Sequence, residues 1–137
     1  MRDNNCIFCK IANGEIPSST LYEDEKVRVI LDISPASKGH ALILPKDHYA
    51  NFYEISDEMA QHVIKTAKKM AQRMQQELGL EGLNVLQNNG ELAGQTVFHY
   101  HMHLIPRYQG DKVKMKWETG ELTESDREDL VSKLSIS

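Results

Sequence analysis

The segment "VFHYHMHLIPRY", residues 97–108, sets three imidazoles two residues apart, each followed by a large apolar side chain. A neutral imidazole, with a free pKa near about 6.5, keeps an available lone pair at neutral pH and can attack phosphorus or an acyl carbon. Flanking imidazoles can hydrogen-bond oxygens or move a leaving-group proton. One metal held by all three is excluded by length. On a strand His99 and His103 stand about 13 Å apart at a rise of about 3.3 Å per residue, against metal–nitrogen bonds of about 2 Å. At most two neighbours can share an ion, with ligands from elsewhere. The preceding "NNGELAGQT" adds backbone N–H groups, Gln95 and Thr96, all suited to phosphate oxygens. A plain solvent-facing strand is the bland alternative; phosphoryl chemistry is the stronger expectation.

The two cysteines form one motif, "CIFC", Cys6 and Cys9. Thiols this close, with no third cysteine, point to half of a metal site or a redox pair. No strand-like run precedes them, as a thioredoxin-like site would require, so zinc is favoured, and it needs two more ligands.

These groups must be positioned by a modest scaffold. With 137 residues, one domain of residues 1–137 is expected, large enough to fold without disulfides. A net charge of −4 disfavours polynucleotide and anionic-lipid partners. The opening "MRDNNCIFCK" lacks a secretory apolar run and no stretch is apolar enough to span a membrane, so a soluble cytoplasmic protein is the default.

The histidine segment reads as a strand, with Phe98, Tyr100, Met102 and Leu104 on one face and the histidines on the other, ending at Pro106. "EKVRVILDI" and "HALILP", separated by the turn-rich "SPASKG", read as an antiparallel pair. A long helix is capped by Ser56, carries Met59, Val63, Ala67, Met70 and Met74 at helical spacing, and stops near Leu78 and Gly79. Its methionines are expected as core filler. "GLNVLQ" forms a hairpin with the histidine strand. "GELTESDREDLVSKL" is a short helix capped by Thr123 or Ser125, with Leu130, Val131 and Leu134 as its apolar face. His62 reads as an ordinary surface residue. The expected class is α+β: a mainly antiparallel sheet of about five strands with one long helix packed on it.

"HYHMHLI" resembles the signature of the histidine triad (HIT) family, in which histidines alternate with apolar residues. "LDISPASKGHALILPKDHY", "GLNVLQNNG" and "AGQTVFHYHMHLIPR" also resemble family segments in the expected order, and "CIFCKIANGEIPSSTLYEDE" is similar to the opening of bacterial members of the purine nucleoside phosphoramidase branch. The resemblance implies a HIT-like fold and a phosphoramidase or nucleotide hydrolase acting on purine, adenosine-bearing nucleotides. In such enzymes the middle histidine, here His101, attacks the α-phosphorus, and water then releases a nucleoside monophosphate from the nucleotidyl-imidazole. It implies phosphate contacts from His103, Gln95 and Thr96, a phosphate pocket shaped by Asn88 and Gly94, Ile33 beside the base, and His40 supporting the triad. Asp32 is implied as acceptor of the ribose hydroxyls, a role open to an ionised carboxylate; an ordinary turn aspartate is the alternative.

By the same resemblance, Cys6, Cys9, His48 and His99 would hold a structural zinc. Relatives are homodimers, so Trp117 is expected over the nucleotide site, at a subunit contact, or simply packed. Two other functions fit the same residues: dinucleoside polyphosphate hydrolysis, and nucleotide-dependent regulation with incidental hydrolysis.

Overall fold

The computed structural model describes residues 1–136. Five strands, β1 (Thr20–Glu23), β2 (Val27–Leu31), β3 (Ala41–Pro45), β4 (Gly82–Leu86) and β5 (Met102–Arg107), form one antiparallel sheet in the order β1-β2-β3-β5-β4. The α+β expectation holds, including the β2–β3 pair and the β4–β5 pairing. Three elements escaped the sequence reading: strand β1, a short helix α1 (Ile7–Ala12) and a single 3-10 turn at Glu91–Ala93.

Helix α2 (Asp57–Glu77) starts where Ser56 Oγ accepts the Met59 N–H, with Asp57 and Glu58 at its positive end. It packs Met59, Val63, Ala67 and Met74 on one sheet face against Val27, Val29, Ala41, Ile43, Met102 and Leu104. The methionines are core filler, as expected. The opposite face carries Ile30, Leu42 and Leu44 under Phe8, Ile11 and Ala12 of the α1 region. His103 is in register with Leu42, and directly opposed strand residues share a face, so the histidine side of β5 faces away from α2.

The histidine segment departs from the expected strand in three ways. Regular pairing begins at Met102, so His99 and His101 precede β5; the Tyr100 N–H instead donates to the Tyr49 carbonyl beyond the end of β3. Tyr100, Met102 and Leu104 do enter the core, but Phe98 is 54% exposed. Pro106 lies inside β5 opposite Leu83 rather than ending it. Its carbonyl accepts from Ser37 Oγ, so its backbone faces away from β4, on the side where pairing with β3 has already stopped and no N–H is required.

Gly39 illustrates how tightly the loop before β3 is drawn in. Its φ is +94°, and a Cβ there would meet Leu78 Cδ1 at 2.8 Å and Pro106 Cγ at 3.3 Å.

Helix α3 (Glu124–Leu134) is capped by Thr123 Oγ1, yet none of its residues is buried and Leu130, Val131 and Leu134 face outward. Trp117 is 83% exposed, which removes the packing alternative within the chain. His62 is more than a surface residue: its Nε2 lies 2.7 Å from Asp24 Oδ2, tying α2 to the β1–β2 turn. No helix among the described residues is long and apolar enough to cross a membrane.

Candidate active site and metal cluster

The three histidines divide between two clusters. His99 is fully buried, and its Nε2 lies 2.8 Å from the Pro45 carbonyl, which can only accept, so the proton sits on Nε2 and Nδ1 keeps its lone pair. That Nδ1 is 3.4 Å from both Cys6 Sγ and Cys9 Sγ, and Cys9 Sγ is 3.5 Å from His48 Nδ1. Zinc bound tetrahedrally at about 2.3 Å to sulfur and about 2.0 Å to nitrogen sets sulfur and nitrogen about 3.5 Å apart. The spacing therefore fits a tetrahedral ion, and all four ligand atoms lie within 4.8 Å of one another.

The surroundings agree. Backbone N–H groups of Asp3 and Cys9 donate to Cys9 Sγ and Cys6 Sγ, as suits thiolates, and the Pro45 carbonyl orients His99. Burial pushes the Cys9 thiol up, so a cation is what would let it ionise. The His48 N–H donates to the Met1 carbonyl, tying the N-terminus to the same corner.

His101 has other partners. Its Nδ1 donates to the His99 carbonyl at 2.7 Å, leaving the lone pair on Nε2. No buried side-chain nitrogen or oxygen among the described residues lacks a hydrogen-bond partner; Nε2 has none, so it reaches solvent although the ring is only 6% exposed. Phe8 meets the ring edge-on, centroids 5.0 Å apart at 89°. Burial lowers the His101 pKa against the opposing pull of the His99 carbonyl and Asp32, so the neutral form holds at pH 7.

His103 has the complementary polarity. The Ala36 N–H donates to His40 Nδ1 at 2.9 Å, so neutral His40 is protonated on Nε2 and donates to His103 Nδ1, also at 2.9 Å. Neutral His103 therefore carries its proton on the outward Nε2. Burial first, then the neighbouring imidazoles, lowers its pKa to about 4, and burial also lowers that of His40. The rings of His101 and His103 are 5.0 Å apart. One of these neighbouring rings keeps a lone pair and the other an N–H, which are the groups that attack on phosphorus and binding of its oxygens require.

Asp32 is 20% exposed in its side chain, and its Oδ2 lies 3.7 Å from His40 Nε2. Its charge acts on His40, His101 and His103 alike, which puts it in the histidine neighbourhood. Its Oδ1 accepts the Ser34 N–H, so the turn role is filled as well. Ile33 beside it is 95% exposed.

The Asn88 side chain lies beside Gly94: a Cβ on Gly94, at φ +98°, would lie 3.4 Å from Asn88 Nδ2. Gln95 is 2% exposed and its amide is committed within the protein, accepting the Gly90 N–H and donating to the Ala50 and Val97 carbonyls. Thr96 is exposed and lines a cleft with Cys6, His48 and Phe98, on the metal side of the row. Sequence reasoning missed Phe8 and the carbonyls of Pro45 and His99. The position of Phe8 inside "CIFC" was the available signal, since cysteines fixed at the cluster carry the residue between them to His101.

Residues 13–110 match the HIT domain family. An adenosine 5'-monophosphoramidase of Schizosaccharomyces pombe is 47% identical over 103 residues, 75% of this chain and 74% of that protein. The crystal structure of a HIT family member from Bacillus subtilis is 46% identical with a TM-score of 0.89, covering 98% of this chain and 99% of that one. A Zn-bound histidine triad family protein from Mycobacterium smegmatis is 35% identical with a TM-score of 0.76, covering 85% of this chain and 84% of that one. By its sequence match and its shared architecture, the chain belongs to the HIT family.

Proposed function

We propose that this HIT-family hydrolase cleaves the P–N or P–O bond at the α-phosphate of purine, adenosine-bearing nucleotides through a nucleotidyl-His101 intermediate. The observation that carries the reading is the opposed polarity of the two outward nitrogens, lone pair on His101 and N–H on His103. His101 Nε2 forms a bond to phosphorus as the bond to the leaving group breaks and the departing amine or oxygen takes a proton from water. His103 Nε2–H hydrogen-bonds a phosphate oxygen while charge grows there. Water then attacks the same phosphorus, releasing the monophosphate and neutral His101. Asp32 accepts the ribose hydroxyls, Ile33 covers the base, and Asn88 and Gly94 line the phosphate side, while Thr96 stands toward the metal cluster. Gln95, its amide already bonded to the loop, serves that side by holding the loop's shape.

Cys6, Cys9, His48 and His99 would hold a structural zinc, which would supply an anchor for the N-terminal segment rather than an activated water. A homodimer fits the exposed outer edge of β4, where Val85 and Ile64 with Ala67 and Ala71 line an apolar groove of about 300 Å³. Residues 1–137 form one HIT domain, and its ligand thiols suit the reducing cytoplasm.

Mixing the protein with an adenosine phosphoramidate labelled at phosphorus and quenching in base tests the central step. Label bound to wild-type protein and absent from His101→Ala is the expected result; turnover by the variant at a rate near that of the wild type refutes the role given to that ring. Parallel assays on a dinucleoside polyphosphate identify the preferred leaving group.

A further inference from the structure

Cys6 forms part of the wall of an open cleft of about 530 Å³ shared with Ile7, His48, Thr96, Val97 and Phe98, whereas Cys9 behind it is fully buried. The two sulfurs lie within 4.8 Å of each other, and the Cys9 N–H already draws Cys6 Sγ over the first turn of α1. The pair is therefore a reachable thiol backed by a second one.

The same corner holds the proposed nucleophile by two contacts. The His99 carbonyl receives His101 Nδ1–H at 2.7 Å, and Phe8, between the cysteines in sequence, meets the His101 ring edge-on at 5.0 Å. Whatever displaces His99 or α1 moves the ring.

We propose that Cys6 is an oxidation site whose conversion to a Cys6–Cys9 disulfide strips the metal cluster of two ligands and releases His101 from its working orientation. The proposal rests on the metal reading of these four residues. With a hydroperoxide as oxidant, Cys6 sulfur attacks the outer oxygen, the O–O bond breaks, and an alcohol or water leaves after taking a proton. Cys9 sulfur then attacks the Cys6 sulfenic acid, the S–S bond forms, and hydroxide leaves as water after a second protonation. Two thiolates lose two electrons and the peroxide gains them. His48 and His99 alone cannot close a tetrahedral site, so the ion is lost.

The test treats the zinc-loaded full chain with a small excess of hydrogen peroxide. Zinc is read with a chromogenic chelator, thiols by peptide mass, and the His101 ring by its side-chain NMR resonances. Expected are release of the bound zinc, loss of both thiols to an internal disulfide, and shifted His101 resonances, all reversed by dithiothreitol and zinc. Limiting iodoacetamide alkylates Cys6 before Cys9. Retention of zinc and thiols under peroxide overturns the proposal, and so do zinc release with unmoved His101 resonances and preferential alkylation of Cys9. Protein that takes up no zinc before oxidation overturns the metal reading and the inference with it. None of these readouts needs turnover, so they stand apart from the outcome of the phosphoramidate assay.

Discussion

Among the described residues two groups of side chains have ligand atoms near enough to share an ion, Cys6–Cys9–His48–His99 and Asp32–His40–His103, yet they are built for different work. In the first, spacings of 3.4–3.5 Å and a proton held on the far nitrogen of His99 turn lone pairs toward a common centre. In the second, His40 and His103 are 2.9 Å apart and linked by a proton, and the Ala36 N–H fixes its direction. A cation between them would have to displace that proton. Imidazoles two residues apart in one segment are thus assigned by the group bound to their other nitrogen. A carbonyl there leaves a lone pair for metal or phosphorus; an incoming N–H leaves a proton to donate.

The comparison breaks most visibly if one ring serves both groups. His101→Ala is expected to lower phosphoramidate turnover by at least about a thousandfold, as removal of a covalent nucleophile does, while zinc content and melting temperature stay unchanged. Loss of zinc in that variant would merge the two clusters into one. Cys9→Ala is the reciprocal change. It is expected to abolish zinc binding and lower stability by about 3 kcal/mol or more in urea unfolding, since it removes a ligand and leaves a cavity at a fully buried site. A stable, metal-free variant would show that the cluster staples nothing.

His103 sharpens the contrast at smaller scale. His103→Gln keeps an N–H donor and is expected to lower kcat/KM about tenfold, whereas His103→Leu lowers it about a hundredfold, with zinc retained in both. Equal losses would deny the donor role. The same ring gives a pH signature. Its folded pKa of about 4 lies below the unfolded value of about 6.5. The unfolded chain then binds the extra proton, so this contribution to stability is complete above the unfolded value and is lost as pH falls through the folded one. Urea midpoints measured from pH 7 to 4 are expected to fall less steeply for His103→Leu than for the wild type.

Much of this was legible in the residues because it depends on local pattern. The Ser56 cap and methionine spacing located α2, and the turn before "HALILP" located the β2–β3 pair. Alternation assigned Tyr100, Met102 and Leu104 to the core, and the reach of an extended chain separated His99 from His103 as ligands of one ion. What failed depended on contacts between distant segments. The segment before Met102 leaves the ladder because Tyr49 and Pro45 claim its backbone and ring, and β1, a short and largely exposed edge strand, has little hydrophobic pattern to show. Pro106 could enter β5 only because β3 stops short of it. The tautomers of His101 and His103 depend on a carbonyl and an N–H whose positions no residue type announces.

The smallest expected effect comes from outside both clusters, where another histidine meets an acid. Asp24 receives the backbone N–H groups of Lys26 and Val27, together with contacts from His62 and Tyr22, and these outweigh its burial and hold its carboxyl well below the usual range. A carboxyl with a depressed folded pKa stabilises above the unfolded value of about 4 and loses that contribution as pH falls further, a window below the one assigned to His103. His62→Gln keeps a long polar side chain against Asp24 but removes the imidazole, and is expected to cost about 1 kcal/mol near neutral pH without altering zinc content or turnover. A change in turnover would mean that α2 transmits to the histidine row across the sheet. The two clusters would then share a support that their separate hydrogen bonds do not reveal.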